Sequence, residues 1–359
     1  MSMTSPQNTL VVATILLLFL SFSKLSLTTF VSIDCGSYES TIDTNNITWI
    51  GDDAYIQFGE SHQIPSAPSI FNTLRAFPYG NESCYSIEVE NGEKVLTRAT
   101  FFYGNYDNKS SPPIFDLHFD GNFWASVNTS MASSEYNLDY EAIYATKGNT
   151  TNICVTQKMP NHIPFITSLE VRSLNSTMYS QLEPNHSLIL LGRYAFGADK
   201  SIRYPDDAYD RIWKTVSGDG LISRVKSDAL NINISTVVDN PPQAAMNNAV
   251  TTPDKDHQIL YHLFIPHKEV PLYINTYFSE VTKDAAGARS IEIHVDSNPV
   301  YGPIAPPFGS VEEVYIKKSL SQDTSLAFVA RPDSTLPPIL NAIEVYQIQP
   351  LAIANATDT

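Results

Sequence analysis

Between residues 96 and 127 the polarity pattern of the chain changes three times. Residues 96–103 are rich in threonine and aromatic side chains (Thr97, Thr100, Phe101, Phe102, Tyr103), which fit a pleated, half-buried strand better than a helix. Gly104-Asn105-Tyr106-Asp107-Asn108 breaks that run, and Ser110-Ser111-Pro112-Pro113 extends the break into a loop. Residues 114–119 alternate apolar Phe115, Leu117 and Phe119 with polar Asp116 and His118, the period of two that a strand requires. Asp120-Gly121-Asn122 then turns the chain into a third run, 123–127. The pattern predicts strand, aromatic loop, strand, tight turn, strand, at the centre of one antiparallel sheet. Further strand-like runs lie at 31–35, 49–56, 84–89, 142–145, 153–156 and 164–172, and Asn91-Gly92 is a hairpin signal. No long amphipathic helix interrupts them. The fold class read from this is all-β, a β-sandwich or jelly roll.

The second half replays the first. Gly197 follows an apolar-aromatic run as Gly36 does, and Asp206-Asp207-Ala208-Tyr209 repeats Asp52-Asp53-Ala54-Tyr55 letter for letter. Residues 272–278 answer 96–103, 289–295 answer 114–119, and 338–345 answer 164–171, at a near-constant offset of about 175 residues. Residues 175–187 between the halves are polar, carry Pro184 and show no strand pattern. The expected organisation is two tandem β-sandwich (jelly-roll) domains at 29–175 and 191–350, with a linker at 176–190 and a tail at 351–359.

Composition adds a compartment. An apolar run at 10–20 is about a dozen residues long, the length of a signal-peptide core and short of the roughly 20 that span a bilayer. Residues 1–28 are therefore read as a signal peptide, although no Lys or Arg precedes the apolar run; an uncleaved anchor is the alternative. No apolar stretch long enough to span follows. Nine N-x-S/T sequons, at Asn46, Asn81, Asn108, Asn128, Asn149, Asn175, Asn185, Asn233 and Asn355, fit secretion and require surface positions. Three cysteines in an oxidising compartment predict one disulfide. Cys84 and Cys154 lie in strand-like runs and form the favoured pair, leaving Cys35 over. A formal charge of −16 argues against nucleic acid and anionic membrane as partners.

Sugar recognition needs flat aromatic faces beside planar polar groups. Tyr103, Asn105, Tyr106 and Asp107 supply both within one loop. Trp49, Tyr55 and Tyr79 come from neighbouring turn regions and are the further candidates for that end of the fold. The competing reading places Tyr103, Trp49 and Trp124 in the core. Residues 203–213 hold three carboxylates between Arg203 and Arg211, and read as an ion-paired corner that pins the second half to the first rather than as an acid–base pair. No GxSxG, HExxH or P-loop occurs, and no cysteine or histidine cluster suggests a metal. No catalytic residue, metal or cofactor is expected.

Several segments together, IDCGS, DDAYI, LRAFPYG, CYSI, LTRATFFYGNYD, PPIFDL, PFITSLEVRSL, IRYPDDAYDRIW and STLPPILNAIEVY, resemble the malectin-like extracellular regions of plant receptor-like kinases. The resemblance covers nearly everything after residue 30. It implies two malectin-like sandwiches outside the cell, in the apoplast or wall or at the cell surface, that bind without catalysis. The implied ligand is an oligosaccharide or cell-wall polysaccharide, or a secreted peptide, with the cleft between the halves suited to an extended one. The alternative is a receptor-like ectodomain or co-receptor with a protein partner and no affinity for sugar; a jelly-roll glycoside hydrolase is the remote one. Set against animal malectin, Tyr106 falls on an aromatic position of the sugar site, Asp107 replaces the adjacent aromatic, and His162 stands where an acidic residue is expected. The matching loop of the second half, Glu280-Val281-Thr282-Lys283, has no aromatic.

Overall fold

A computed structural model describes residues 28–64, 72–131, 138–216, 222–263, 265, 268–322 and 324–352. All but the last residue of the segment read as a signal peptide, together with Asn355 and most of the tail, lie outside these. The first half contains β1 (Phe30–Asp34), β2 (Thr41–Ile42), β3 (Thr48–Gly51), β4 (Glu60–Gln63), β5 (Thr73–Ala76), β6 (Glu82–Glu88) and β7 (Lys94–Phe101). It continues with β8 (Ile114–Phe119), β9 (Asn122–Asn128), β10 (Leu138–Ala145), β11 (Thr150–Gln157), β12 (Phe165–Ile166) and β13 (Ser168–Ser173). The second half contains β14 (His186–Phe196), β15 (Lys214–Val216), β16 (Ser223–Lys226), β17 (Asn248–Thr251), β18 (Ile259–His262) and β19 (Val270–Phe278). It ends with β20 (Ile291–Val295), β21 (Asn298–Ile304), β22 (Glu312–Leu320), β23 (Ser325–Ala330), β24 (Ile339–Leu340) and β25 (Ala342–Pro350).

The strand order of the first half recurs in the second. A four-stranded sheet β6-β11-β8-β9 has the counterpart β18-β23-β20-β21, and the three-stranded β12-β5-β4 has β24-β17-β16. In the long sheet, β3-β1-β13-β7-β10 corresponds to β15-β14-β25-β19-β22. Gly36 and Gly197 occupy matching turns after β1 and β14, both with positive φ. A Cβ there would meet the carbonyl oxygen of Leu74 at 2.3 Å or of Ala249 at 2.4 Å, so only glycine fits. Each half packs its sheets about its own apolar core. Phe101, Phe115, Leu117, Phe119, Trp124 and Phe165 lie in the first, and Ile274, Phe278, Ile293, Phe328 and Ile343 in the second.

Four expectations need correction. The runs 96–103, 114–119 and 123–127 are strands, but β7 belongs to the long sheet while β8 and β9 pair in the other layer. The proline loop between them crosses layers instead of closing a hairpin. Only the tight turn behaves as read: Asp120 and Gly121 both have positive φ, as a two-residue hairpin turn demands, and β8 pairs β9. Asn91-Gly92 joins β6 to β7, which also lie in different sheets, so long-range pairing overrides a local hairpin signal. The linker expected at 176–190 is shorter, because from His186 the chain is strand. The letter-for-letter Asp-Asp-Ala-Tyr repeat is not a structural one: 52–55 follow β3, whereas 206–209 precede β15, its counterpart.

What joins the halves is the long sheet itself. β10 of the first half pairs with β14 of the second, at Ala142 with Ile189 and Ile143 with Leu188. β7 is buried along almost its whole length, so its polar positions cannot reach water and must be paired inside. Arg98 reaches Glu141 at 2.9 Å and Glu170 at 2.9 Å. Arg193 of β14 closes the junction, 2.6 Å from Glu141 on one side and 2.6 Å from Glu344 on the other. The corner 203–213 caps this row as read from the sequence. Asp210 accepts from Arg172 at 2.8 Å and from Arg203 at 2.8 Å, and its carbonyl accepts from Arg98 at 2.7 Å. These arginines hold the Asp210 carboxyl below the usual range against the opposing effect of burial.

Candidate functional site

The loop that follows β7 builds the best-formed candidate site. Asn105, Asn108 and Ser110 all have positive φ, and short polar side chains tolerate that backbone because they bond to it locally. Asn105 Oδ1 accepts from the Ser110 amide at 2.8 Å, and Asp107 Oδ1 from the Lys109 amide at 3.2 Å. The Tyr103 hydroxyl donates to Asp107 Oδ1 at 2.5 Å. Burial and that carboxylate push the Tyr103 phenol up to about 12, so it stays a donor at physiological pH. The Tyr106 ring rests against Phe165 at 5.6 Å, Tyr103 at 5.7 Å and His62 at 4.8 Å. It is half-buried. Its free part borders a cavity of about 320 Å³ with Asp107, Lys109, Ser111, Pro113, Asn161 and Ile163.

The sequence candidates therefore divide. Tyr106 and Asp107 line the cavity, and Asn105 shapes its loop. Tyr103 is 7 % exposed and acts as a core residue that orients Asp107, not as a platform. Trp49 is corrected outright: it is 1 % exposed, and its indole donates to Asp43 Oδ2 at 3.1 Å. The apolar face is consumed by packing, so no ligand reaches it. Tyr55 is half-buried against the first core, and Tyr79 is 77 % exposed, but neither lines this cavity. His162 also lies outside it, its Nδ1 accepting from the Ile114 amide at 2.7 Å. Sequence reasoning missed Lys109, Ser111, Pro113, Asn161 and Ile163. The one available signal was the Pro160-Asn161 turn, which stands opposite the loop only after β11 and β12 are placed.

In the second half the corresponding loop is closed. Glu280 is buried, accepts from Arg289 Nε at 2.8 Å and takes the Val281 amide at 2.9 Å. A second cavity, about 480 Å³, lies where the halves meet, between 90–94, 173–176 and Tyr209. Its rim includes the sequon residue Asn175, so a glycan there would stand in its mouth. A third, about 260 Å³, is lined by Asp239, Tyr273, Glu313 and Tyr315. Asn275 holds both of its carboxyls, donating to Glu313 Oε1 at 2.9 Å and to Asp239.

Burial, with Asp239 beside it, pushes Glu313 up to about 8. A carboxyl raised in the folded state favours folding below its unfolded value near 4.5, and that contribution is lost as pH rises towards 8. Glu313→Gln should therefore be stabilised relative to the parent between pH 5 and pH 8. Discounting for solvent at a half-buried group, the gain is about 2 kcal/mol, read by urea unfolding at both pH values.

Seven sequon residues, Asn46, Asn81, Asn108, Asn149, Asn175, Asn185 and Asn233, are exposed, and Asn128 is half-buried. Cys84 and Cys154 are bonded to each other across β6 and β11. Cys35 is free and buried, and burial with the Asp52 charge raises its thiol well above the ordinary value, so it is inert. Among the described residues no helix is long and apolar enough to cross a membrane.

The description of the malectin-like domain matches residues 33–348. The chain belongs to the malectin-like family. An uncharacterized protein of Arabidopsis thaliana is 35 % identical over 351 residues, covering 95 % of this chain and 69 % of its own. A probable leucine-rich repeat receptor-like protein kinase of the same plant is 31 % identical over 334 residues. This malectin-like chain spans 37 % of that kinase's length. Among solved structures, the ANXUR1 extracellular domain from A. thaliana superposes with a TM-score of 0.75 at 16 % identity, covering 89 % of this chain and 97 % of its own. The plant peptide RALF23 in complex with FER and LLG2 gives 0.76 at 16 % identity, over 92 % and 96 % of the two chains. Both likenesses concern the malectin-like fold alone.

Proposed function

We propose that this protein is an extracellular, non-catalytic recognition module. Two tandem malectin-like sandwiches, one built from β1 to β13 and the other from β14 to β25, serve as the scaffold, and the Tyr106 cavity receives a cell-wall-type oligosaccharide or a secreted peptide. The observation that carries the reading is the half-buried Tyr106 ring beside Asp107, on a loop fixed by its own hydrogen bonds. A rigid aromatic face with a carboxylate at its edge is preorganised for a sugar ring or for a planar peptide group. Secretion accords with the sequons, and an apoplastic or cell-surface location follows from it. The carboxylates of the junction are consumed by arginines, so turnover is not part of the proposal.

The secreted, glycosylated protein applied to an array of glucans, pectins and xylans, with secreted peptides alongside, tests this reading. Retention of at least one probe without new reducing ends would support it; release of product would transfer the protein to hydrolases. The second reading, an ectodomain or co-receptor with a protein partner and no sugar affinity, is favoured by the complex of RALF23 with FER and LLG2. Binding to a peptide, unaffected by competing oligosaccharide, would select it.

A further inference from the structure

The internal duplication leaves one strand edge without the partner that its counterpart has. In the first half, residues Ser32, Glu170, Arg98 and Glu141 stand in register across β1, β13, β7 and β10. In the second half the same row is Arg193, Glu344, Asn275 and Tyr315 across β14, β25, β19 and β22. The outer edge of β10 is covered by β14, which delivers Arg193 onto Glu141. β22 is the counterpart of β10, and it ends its sheet: among the described residues no strand pairs with its outer side.

The chemistry at that edge is unfinished in the same place. Tyr315 holds the position of Glu141, and its buried hydroxyl has no hydrogen-bond partner among the described residues. Asn275 is fully buried, and its Oδ1 is likewise unpartnered among the described residues. Glu313 and Asp239 line the adjoining cavity of about 260 Å³ together with Tyr273 and Tyr315, whose rings stand 4.5 Å apart. Two carboxyls and two unpartnered polar atoms at a strand edge form an acceptor set for a basic side chain. Lys317 and Lys318 guard the other end of β22, Lys317 being engaged by Glu183 at 2.7 Å. Lysines of this kind are a common defence against edge pairing. The Glu312–Tyr315 end has no such guard.

We infer that the outer edge of β22 binds an extended, basic peptide segment of another protein, added as one more strand, with an Arg or Lys delivered to Glu313, Asp239 and Tyr315 as Arg193 is delivered to Glu141. Main-chain hydrogen bonds to the edge supply affinity, and the acidic aromatic cavity supplies selectivity for the basic residue. The net charge of −16 favours the approach of a cationic segment. This site is separate from the Tyr106 cavity and stands whether or not that cavity holds a ligand.

The test is selection of a displayed library of random nine-residue peptides on the secreted, glycosylated protein. Enriched peptides are expected to carry Arg or Lys among alternating β-branched or aromatic residues. Their affinity should fall about tenfold in Glu313→Gln and severalfold in Tyr315→Phe, which keeps the shape of the ring. It should vanish when alternate peptide amides are N-methylated, and stay unchanged in Tyr106→Ala. A selection with no enrichment, or enriched peptides indifferent to both β22 substitutions, overturns the inference. Loss only in Tyr106→Ala would also overturn it, while supporting the first cavity.

Discussion

Arg193→Met is expected to lower the free energy of unfolding by about 3–5 kcal/mol, the range for removing one member of a buried ion pair. The guanidinium lies between Glu141 and Glu344, both buried, and also donates to the Tyr346 hydroxyl at 2.6 Å. Methionine matches the length of the stem and preserves apolar contact, so the loss isolates the charge. Glu141 keeps Arg98 at 2.9 Å, but Glu344 is left with hydroxyl donors such as Tyr277 at 2.7 Å. The Glu344 carboxylate then remains buried without its guanidinium partner. Adding Glu344→Gln to Arg193→Met should recover part of the loss, since the second charge goes with the first. Urea unfolding followed by circular dichroism reads both effects. A loss under about 1 kcal/mol in the single variant would mean that the junction is solvated and that the halves are held otherwise.

Removing the disulfide has the next largest expected effect. Cys84 and Cys154 are 70 residues apart in sequence, and closing a loop of that size restricts the unfolded chain by about 4 kcal/mol. The bonded residues face each other directly on β6 and β11, so the native pairing survives without the bond. The Cys84→Ala, Cys154→Ala double variant is therefore expected to fold and to lose about 2–4 kcal/mol. The double change is needed because single variants leave a reactive thiol. Equal stability with and without the bond would show that the denatured chain already holds β6 against β11.

The duplication, the disulfide and the all-β class were legible because each rests on a periodic or local signal. β8 alternates buried and half-buried positions as its letters do, and Gly36 and Gly197 mark turns that admit no other residue. Sheet membership was not legible. Leu96 and Leu117 lie in strands that look like neighbours, yet the loop between them changes layer, and only their distant pairing partners, Ile143 and Val155, reveal it. The buried charges were hidden for a related reason. Arg98, Glu141, Glu170 and Arg193 sit at polar positions of alternating runs, which read as a solvent face until a second layer covers it. The Tyr106 loop stands out in the sequence through its aromatic and amide content, and it is a candidate site on that ground. Trp49 was misplaced because a turn-flanking tryptophan gives no sign of whether its face is already packed.

The measurement that bears most directly on the recognition proposal compares Tyr106→Ala with Tyr79→Ala in a calorimetric titration against the strongest hit from the oligosaccharide and peptide array. Both tyrosines lie in the first half. Only Tyr106 lines the cavity, and Tyr79 is the more exposed of the two. The proposal expects affinity to fall at least about tenfold in Tyr106→Ala and to be unchanged in Tyr79→Ala, with both variants unfolding at the parent temperature. Parent affinity in Tyr106→Ala, or equal losses in the two, would contradict it and remove the cavity from the binding face.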